Sequence, residues 1–449
     1  MKQMKKIISV LLVLTFLTAL VTGCQNTEQT GEGAAEEATT EGQTQEETTA
    51  TDEAEQELEQ VEITIASQFG GTNAAAPPYQ AALEQFQLDN PHVKIMDSSQ
   101  NPDEAWKQKI VLDFSVGNEP DVLLYFTGVD QKPIVESGKV VSIDTIRKDY
   151  PDYASNINKD PMEMVKAEDG VNYCVPVSGF YEGMFVNKDL FDEYGLELPT
   201  DWDKFMTAVE TFADTDIVPI SVALGNIPHY VIEHFILSAG GVEEHRVNPK
   251  TKEEIPQSWI EGLDNIKMLY DMGAFPQDTL VTEDEFTVQA FVDKKAAMVI
   301  DGSWLSGRMV DTENTVFLPF PSSTDKKDPS SVIAGFSSGF FISEKAYNDS
   351  AKQKAVVDLV SYLTSDEVIR NIVTANAGMP AASVVAEADN PLLTSMAEVT
   401  GAAKGADMPI DSRLQKPAWE IFTKGIPLVV EGKITSEELL LQVVEENNY

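Results

Sequence analysis

The sequence predicts an α/β protein that is built as two lobes. Three observations support this prediction. The chain has 449 residues, more than a single hydrophobic core usually supports. Its hydrophobic content of 42% and aromatic content of 8% are typical of a folded globular protein. From residue 61 onward, strand-like and helix-like segments alternate, which favours sheets flanked by helices.

The first 24 residues predict export and a lipid anchor. Lys2, Lys5 and Lys6 precede an apolar run at 7–21, which is too short to span a bilayer comfortably and is typical of a secretory signal peptide, here 1–23. The run ends in Val-Thr-Gly-Cys, which resembles the lipobox of bacterial lipoproteins, in which the cysteine is lipidated and becomes the mature N-terminus. Cys24 is therefore the predicted lipidation site, and an ordinary signal peptide or an anchor helix is the alternative.

Residues 25–60 predict a disordered acidic spacer. They contain 11 Glu and one Asp but no Lys or Arg, and they have no periodic apolar face. Such a segment cannot repay the entropy lost on ordering. With Cys24, it forms a predicted tether over 24–60 that holds the folded part away from the membrane.

The first lobe begins with an alternating strand at 61–66. Further strands are predicted at 92–96 and 121–125, with a helix between each pair. Ligands of parallel sheets lie beyond the carboxyl ends of the strands. These ends supply the first candidate binding residues: Gln68, Gly70, Gly71, Tyr125 and Asp130.

The stretch 170–202 is predicted to cross from one lobe to the other. It shows no full-length helix and no long strand, only a short strand at 184–186. Val-Pro-Val at 175–177 predicts stiff, extended hinge backbone. The aromatic and acidic patch that follows, Phe180, Tyr181 and Glu182, is expected where the lobes meet. Thr200 and Asp203 are spaced as a capping box for the next helix.

The second half supplies further candidates at strand ends. A strand at 217–223 leads to Asn226, His229 and Tyr230, and a buried-looking strand at 296–300 leads to Asp301 and Trp304. A strand at 339–342 and two amphipathic helices follow. The tail contributes Arg413 and Trp419, and its last helix has a capping box at Thr435 and Glu438.

Five segments in order carry a resemblance to a known family: GNEPDVLLY, VNKDLFDEYGLELPTDWDKF, FVDKKAAMVIDGSW, SSGFFISEKAYND with VSYLTSDEVIRN, and NAGMPA. From residue 61 to the C-terminus the chain resembles the family 1 extracellular solute-binding proteins, the carbohydrate-binding lipoproteins of ABC importers. Such a protein is expected to be a monomer on the outer face of the bacterial cell membrane. It captures a sugar or oligosaccharide and delivers it to the permease subunits of an ABC transporter.

The resemblance implies a two-lobed periplasmic-binding-protein-like (type II) fold, in which each lobe is a mixed sheet flanked by helices and a multi-strand hinge joins the lobes. The N-terminal lobe would comprise 61–177 and 330–376, and the C-terminal lobe 178–329 and 377–449. The resemblance also gives Tyr181 and Glu182 a role in contacting the ligand, and it places Trp304 in the sugar site.

Sugar binding requires flat aromatic faces and planar polar groups. Trp304 is the predicted stacking platform, with a buried structural tryptophan as the alternative, and Trp419 fits either core or pocket. Asp130, Asp301 and Arg413 fit paired contacts with hydroxyls, although exposed loop charges are the alternative. Gln68, Gly70 and Gly71 could present side-chain and backbone donors, or form an ordinary βα turn.

Several functions are excluded or disfavoured. A net charge of −42 repels phosphate backbones, so no nucleic acid partner is expected. His229 and His234 lie five apart and do not share a helix face, so no metal site is predicted. Cys174 is expected to be a buried structural thiol and not a nucleophile. The sequence contains no phosphate-binding loop of the nucleotide-binding type. No cofactor is predicted. The alternatives are a surface-anchored glycoside hydrolase and a receptor for a non-sugar solute such as a peptide, polyamine or metal.

Overall fold

A computed structural model describes residues 60–448. The predicted signal peptide at 1–23, the lipidation site Cys24 and the acidic spacer up to residue 59 lie outside the described residues. No helix within 60–448 combines the length and apolar character needed to cross a bilayer.

The strands of the described chain form two separate sheets. Their bounds are β1 (Val61–Ser67), β2 (Val93–Asp97), β3 (Val122–Phe126), β4 (Cys174–Val175), β5 (Ser178–Asn187), β6 (Val218–Ser221), β7 (Ala296–Gly302), β8 (Thr315–Leu318), β9 (Val332–Gly335), β10 (Ser338–Ile342), β11 (Met379–Pro380) and β12 (Ala406–Asp407).

The helices cover both faces of these sheets. Their bounds are α1 (Ala76–Asp89), α2 (Glu104–Val116), α3 (Lys132–Glu136), α4 (Ile143–Asp149), α5 (Lys159–Met164), α6 (Lys188–Tyr194), α7 (Trp202–Ala213), α8 (His229–His245), α9 (Gln257–Asp271), α10 (Asp284–Val292), α11 (Glu344–Tyr347), α12 (Gln353–Leu363), α13 (Asp366–Asn376), α14 (Pro391–Ala402), α15 (Lys416–Val430) and α16 (Ser436–Glu446). Short 3₁₀ helices occur at Gly128–Gln131, Lys252–Glu254, Ser303–Arg308 and Ile410–Ser412.

The first sheet has the strand order β2-β1-β3-β10-β4. β1 pairs in parallel with β2 and β3, whereas β10 pairs antiparallel with β3 and β4. The predicted alternation of β1 is observed, since Val61, Ile63 and Ile65 are buried while Glu62 and Thr64 are exposed. The sheet is mixed, as predicted.

The second sheet has the order β12-β9-β5-β7-β6, and β8 and β11 also pair with β5. β5 is antiparallel to β7, β8, β9 and β11. β5 is therefore the central strand of this sheet, and eight of its ten residues are buried, because the strand is covered on both faces.

The stretch 170–202 thus differs from its prediction. It contains a strand of 10 residues, β5, where only a short strand at 184–186 is expected. Burial on both faces removes the alternation that marks a half-buried strand, and Gly179 and Gly183 look like breakers. Both glycines fit because other groups approach closely: a Cβ on Gly183 would lie 2.5 Å from the Phe317 ring.

The caps differ at one helix and agree at another. α7 begins with Asp201 as its N-cap, which accepts a hydrogen bond from the Lys204 N–H, so the predicted capping box of Thr200 and Asp203 is wrong. A carboxylate one residue later serves the same orphan N–H groups. The capping box of Thr435 and Glu438 at α16 is confirmed.

Each sheet has its own hydrophobic core. One core draws on 61–177 and 336–384 and surrounds the first sheet. Two more draw on 181–334 and 377–443 and cover the second sheet. We call these two parts the first lobe and the second lobe. β9, within the range 330–376 assigned to the first lobe from the sequence, pairs in the second sheet.

Candidate functional site

Five partly exposed rings form a continuous row on the second lobe, which we call the aromatic wall: Phe180, Trp304, Tyr230, His229 and Trp419. Their ring centroids are 6.0 Å apart for Phe180 and Trp304, and 6.0 Å for Tyr230 and Trp304. His229 continues the row at 4.9 Å from Tyr230 and 6.1 Å from Trp419. The structure therefore brings together five of the residues that the sequence singled out.

The second sheet positions the ring of Trp304. β7 ends at Gly302, and Trp304 follows in a 3₁₀ helix. A Cβ on Gly302 would lie 2.2 Å from Cη2 of Trp304, so the indole lies directly over a residue that has no side chain. The glycine thus makes room for the ring that joins Phe180 to Tyr230 in the row.

Phe180 and Tyr181 point to opposite faces of β5, because successive strand side chains alternate. Phe180 pairs with Gly335 and Glu182 with Gly302, on the face that carries the aromatic wall. Tyr181 is only 4% exposed and packs edge-on against Phe317, at 5.6 Å between centroids, within a hydrophobic core. The structure places Tyr181 in the core, away from the other two.

Carboxyl groups surround the aromatic wall. Glu182 and Asp301 are each 4% exposed. Burial, then Glu233, Asp411 and Asp301, raise the pKa of Glu182 well above its ordinary value. Burial and the nearby Asp284 raise the pKa of Asp301 to about 8, against the opposing hydrogen bond from the Gly302 N–H.

Tyr230 shows that these carboxyl groups converge. Burial raises the pKa of its hydroxyl well above the usual value, and Asp301, Glu182, Asp284 and Asp411 raise it further. Asp411 itself is pushed to a pKa of about 7 by burial and by Glu233. Asp411 could not be found from the sequence, since an acid in a short 3₁₀ helix has no local signal of burial.

His234 lies behind Glu182. Its Nδ1 is 2.8 Å from the Tyr230 carbonyl oxygen and 3.8 Å from Oε2 of Glu182. Burial lowers the pKa of His234 to about 4, so the ring is neutral near pH 7 and does not neutralise Glu182. Asn226 is exposed, and its Oδ1 accepts a hydrogen bond from the Asp284 N–H at 3.3 Å.

On the first lobe, Tyr125 does not face a cleft. It is 1% exposed, packs against Trp106 at 5.5 Å between centroids, and its hydroxyl lies 3.4 Å from the Lys107 carbonyl oxygen. The charged side chain beside Tyr125 is Lys107. Its Nζ lies 3.1 Å from the Asp130 carboxylate and 4.4 Å from the centre of the Phe126 ring.

The two lobes touch beside Asp130. Nζ of Lys416, at the start of α15, lies 3.7 Å from Asp130 and 3.6 Å from Glu104. A Cβ on Gly128 would lie 3.0 Å from the Ser412 carbonyl oxygen. Asp130 therefore contributes to an ion-pair cluster between the lobes.

Gly70 and Gly71 line a separate cavity of about 600 Å³. Its other lining residues come from the loop after β1, the start of α1, Ser99, Gly307 and Ala375. None of the aromatic wall residues lines it. Gln68 lies near the first sheet's end, where its Nε2 donates to Oγ of Ser338 at 3.1 Å while its buried Oε1 lacks a partner.

Arg413 belongs to a buried ionic network with Glu233, His245 and Asp407, which we call the His245 network. Nε2 of His245 is 2.9 Å from Glu233, and Nδ1 is 2.7 Å from Asp407. Arg413 reaches the same Asp407 oxygen at 3.0 Å with both terminal nitrogens. Its guanidinium is therefore engaged in structure, where the sequence analysis expected contacts with hydroxyls.

No group of three or more His, Cys, Asp and Glu side chains with metal-binding geometry occurs within 60–448. Cys174 is a buried free thiol, and burial raises its pKa well above the ordinary value. Such a thiol is a poor nucleophile.

Residues 70–369 match the family described as bacterial extracellular solute-binding protein. The chain belongs to this family. The predicted family is thereby confirmed, and it is a family of binding proteins, not of enzymes. A curated relative of this solute-binding protein is the multiple sugar-binding protein of Streptococcus mutans serotype c (strain ATCC 700610 / UA159), 22% identical over 232 residues. That match covers 49% of this chain and about half, 53%, of the relative.

Solved structures share the fold of this solute-binding protein over most of its length. A chitin oligosaccharide binding protein superposes with a TM-score of 0.75 at 20% identity, covering 87% of this chain and 100% of that chain. The bacterial solute receptor AcbH, described with an exclusive preference for β-D-galactopyranose, gives 0.72 at 17% identity, covering 86% and 98%. The predicted periplasmic-binding-protein fold is confirmed.

Proposed function

We propose that this protein captures a sugar or oligosaccharide between its two lobes and delivers it to the permease of an ABC transporter. The aromatic wall is the observation that carries the proposal. Flat rings with polar groups at their margins suit a pyranose, whose C–H face is apolar and whose hydroxyls need hydrogen-bond partners. Glu182 and Asp301 lie at those margins.

The names of similar proteins support the same ligand class. The relatives described above are a multiple sugar-binding protein and a chitin oligosaccharide binding protein, and another protein of the same fold, with a TM-score of 0.68, is a complex with raffinose. A ligand that contacts both lobes favours their closed arrangement. The permease could then bind the closed, loaded form in preference to the open one.

A thermal-shift screen of sugars, followed by calorimetry, tests the proposal. A bound sugar is expected to raise the Tm, because it binds the folded chain alone. Trp304→Ala removes the ring that links Phe180 to Tyr230 in the aromatic wall and is expected to weaken binding of that sugar by about 10–100-fold. Phe286→Ala is the control, since this ring is 68% exposed and lies outside the aromatic wall; its affinity should match wild type.

Three outcomes would contradict this proposal. Equal affinity in wild type and Trp304→Ala would show that the ligand lies elsewhere. New reducing ends after incubation with oligosaccharides would indicate hydrolysis. Stabilisation by peptides, polyamines or metal ions alone would replace the sugar by another solute.

The lipid anchor is a separate part of the proposal. Cys24 follows an apolar segment and precedes an acidic spacer, which suits a protein held at the outer face of the cell membrane. We expect bacterial cells to incorporate labelled palmitate into the wild-type protein, and the Cys24→Ala variant to lose the label and appear in the medium. Cys174→Ala is the control and should keep the label; a labelled Cys24→Ala protein would refute the anchor.

A further inference from the structure

The carboxyl groups beside the aromatic wall have few donors. Oε2 of Glu182 is buried and has no hydrogen-bond partner within the described chain. The nearest base is His234, whose Nδ1 is 3.8 Å away and already lies 2.8 Å from the Tyr230 carbonyl oxygen. A buried polar atom without a partner is costly. Oε2 of Glu182 is therefore free to form a hydrogen bond with a ligand group, because the described residues supply no partner for it.

The nearby cations are committed to other acids. Lys107 pairs with Asp130 at 3.1 Å, and Arg413 pairs with Asp407 at 3.0 Å. Lys107 and Arg413 lie near enough to affect the pKa of Asp411, yet neither contacts it within hydrogen-bond distance in the described structure. Arg308 lowers the pKa of Asp301, but its guanidinium pairs with Glu285 at 2.8 Å. Glu182, Asp301 and Asp411 thus share one region with no dedicated positive partner.

The pKa values of these acids indicate which kind of ligand they would favour. Their raised pKa values, about 8 for Asp301 and about 7 for Asp411, result from burial and from the neighbouring acids. A neutral sugar would leave those causes in place. A ligand with a positive group would relieve them, because an opposite charge favours the ionised carboxylate.

The rings reinforce the same preference. Tyr230 lies among the acids, and its ring is 6.0 Å from that of Trp304. Aromatic faces carry negative potential and attract cations, more strongly where water is excluded. A flat apolar ligand face with one positive substituent fits a row of rings bordered by carboxylates.

We infer that the second lobe selects a carbohydrate that bears a protonated amino group, with its ring face on the aromatic wall and its ammonium toward Glu182, Asp301 and Asp411. The inference rests on the proposed function and narrows its ligand class. It assigns to Glu182 and Asp411 the discrimination between amino sugars and their neutral parents.

Calorimetry at about pH 6.5, where sugar amines are protonated, tests it with matched pairs. The probes are glucosamine, galactosamine, mannosamine and the β-1,4-linked glucosamine tetramer, each beside its neutral hydroxyl parent and its N-acetyl form. At least one amine is expected to bind about tenfold or more tightly than both partners, since charge-assisted hydrogen bonds are the stronger ones. Spermidine and CaCl₂ serve as cations without a sugar ring.

Two variants locate the preference. Glu182→Gln and Asp411→Asn keep the size of the side chain but remove its ability to ionise beside an ammonium group, and either should reduce the preference for the amine to about threefold or less. Glu398→Gln removes an exposed carboxylate on α14 and should leave the preference unchanged. Because each variant tests the preference independently, a folding defect in one leaves the other informative.

The outcomes separate the inference from the proposed function. Neutral sugars that bind as tightly as every amine overturn the inference and leave sugar capture intact. Binding of spermidine or Ca²⁺ with no sugar binding overturns both. An amine preference that survives both Glu182→Gln and Asp411→Asn refutes the role of these carboxylates.

Discussion

The His245→Ala variant is expected to lose about 3–5 kcal/mol of unfolding free energy, because removing one partner from a buried ionic network leaves the others uncompensated. His245 is fully buried and lies between Glu233 and Asp407. Glu233 also accepts the Ile410 N–H, so the network fastens α8 to the chain segment that follows β12. Urea unfolding of the purified protein measures the loss.

The loss should depend on pH. Burial alone would lower the pKa of His245, but its hydrogen bonds with Asp407 and Glu233 outweigh burial, and the pKa is raised above 6.5. A raised folded pKa gives stability that is fully present below the unfolded value and is lost as the pH rises through the folded value. The difference between wild type and His245→Ala should therefore be larger at about pH 5.5 than at about pH 8.5.

Asp407 sets the lower limit of this window. Burial alone would raise its pKa, but His245 and Arg413 hold it below 3.8. Its contribution is present above that ordinary value and is lost only as the pH falls through the lowered one. His92→Ala is the control. This histidine immediately precedes β2, and its replacement should lower the free energy of unfolding by no more than about 0.5 kcal/mol. A loss below about 1 kcal/mol for His245→Ala at both pH values would refute the role of the network.

Tyr181→Ala and Phe180→Ala are expected to have opposite effects, although the two residues are neighbours in β5. Tyr181→Ala should cost about 3–5 kcal/mol of stability, since it empties a core position against Phe317. Phe180→Ala should cost about 1 kcal/mol or less, because the ring is partly exposed, but it should weaken sugar binding about tenfold by removing a ring of the aromatic wall.

Urea unfolding without ligand and calorimetry with the sugar found in the screen measure both quantities for both variants. Tyr181→Phe is the conservative control, which keeps the ring and should retain most of the stability. A Tyr181→Ala protein with wild-type stability and lost binding would place that side chain at the ligand, as the resemblance implies, and would contradict its assignment to the core.

The fold was largely predictable because local patterns decide it. Val61, Ile63 and Ile65 alternate with exposed residues, and an alternating pattern at a half-buried strand is a direct physical signal. β5 escaped notice because burial on both faces replaces alternation by a continuous apolar run with glycines. Thr200 and Asp201 are adjacent and both are good caps, so sequence alone could not choose between them.

The candidate site was predictable in part, for a different reason. Trp304, Tyr230 and Phe180 lie at strand or helix ends, where polar and aromatic residues commonly face a ligand. Whether a strand side chain points toward a ligand or into the core depends on the face of the sheet on which it lies. Tyr181 lies on the core face of β5, and no local sequence pattern indicates this. The partners of Arg413 lie far away in sequence: Asn248 and His245 meet its carbonyl and guanidinium across more than 160 positions, a distance over which no local pattern carries information.

The position of β10 between β3 and β4 also determines when the first sheet can be completed during synthesis of the chain. The first sheet places Ser338 to Ile342 between a strand that ends at Phe126 and one that begins at Cys174. A chain that grows from its N-terminus must therefore hold three early strands and their helices with an unfilled edge while the intervening second-lobe segment is made. Such exposed edges invite pairing with other chains. The first lobe is thus begun first but completed late, after β10 has been synthesised.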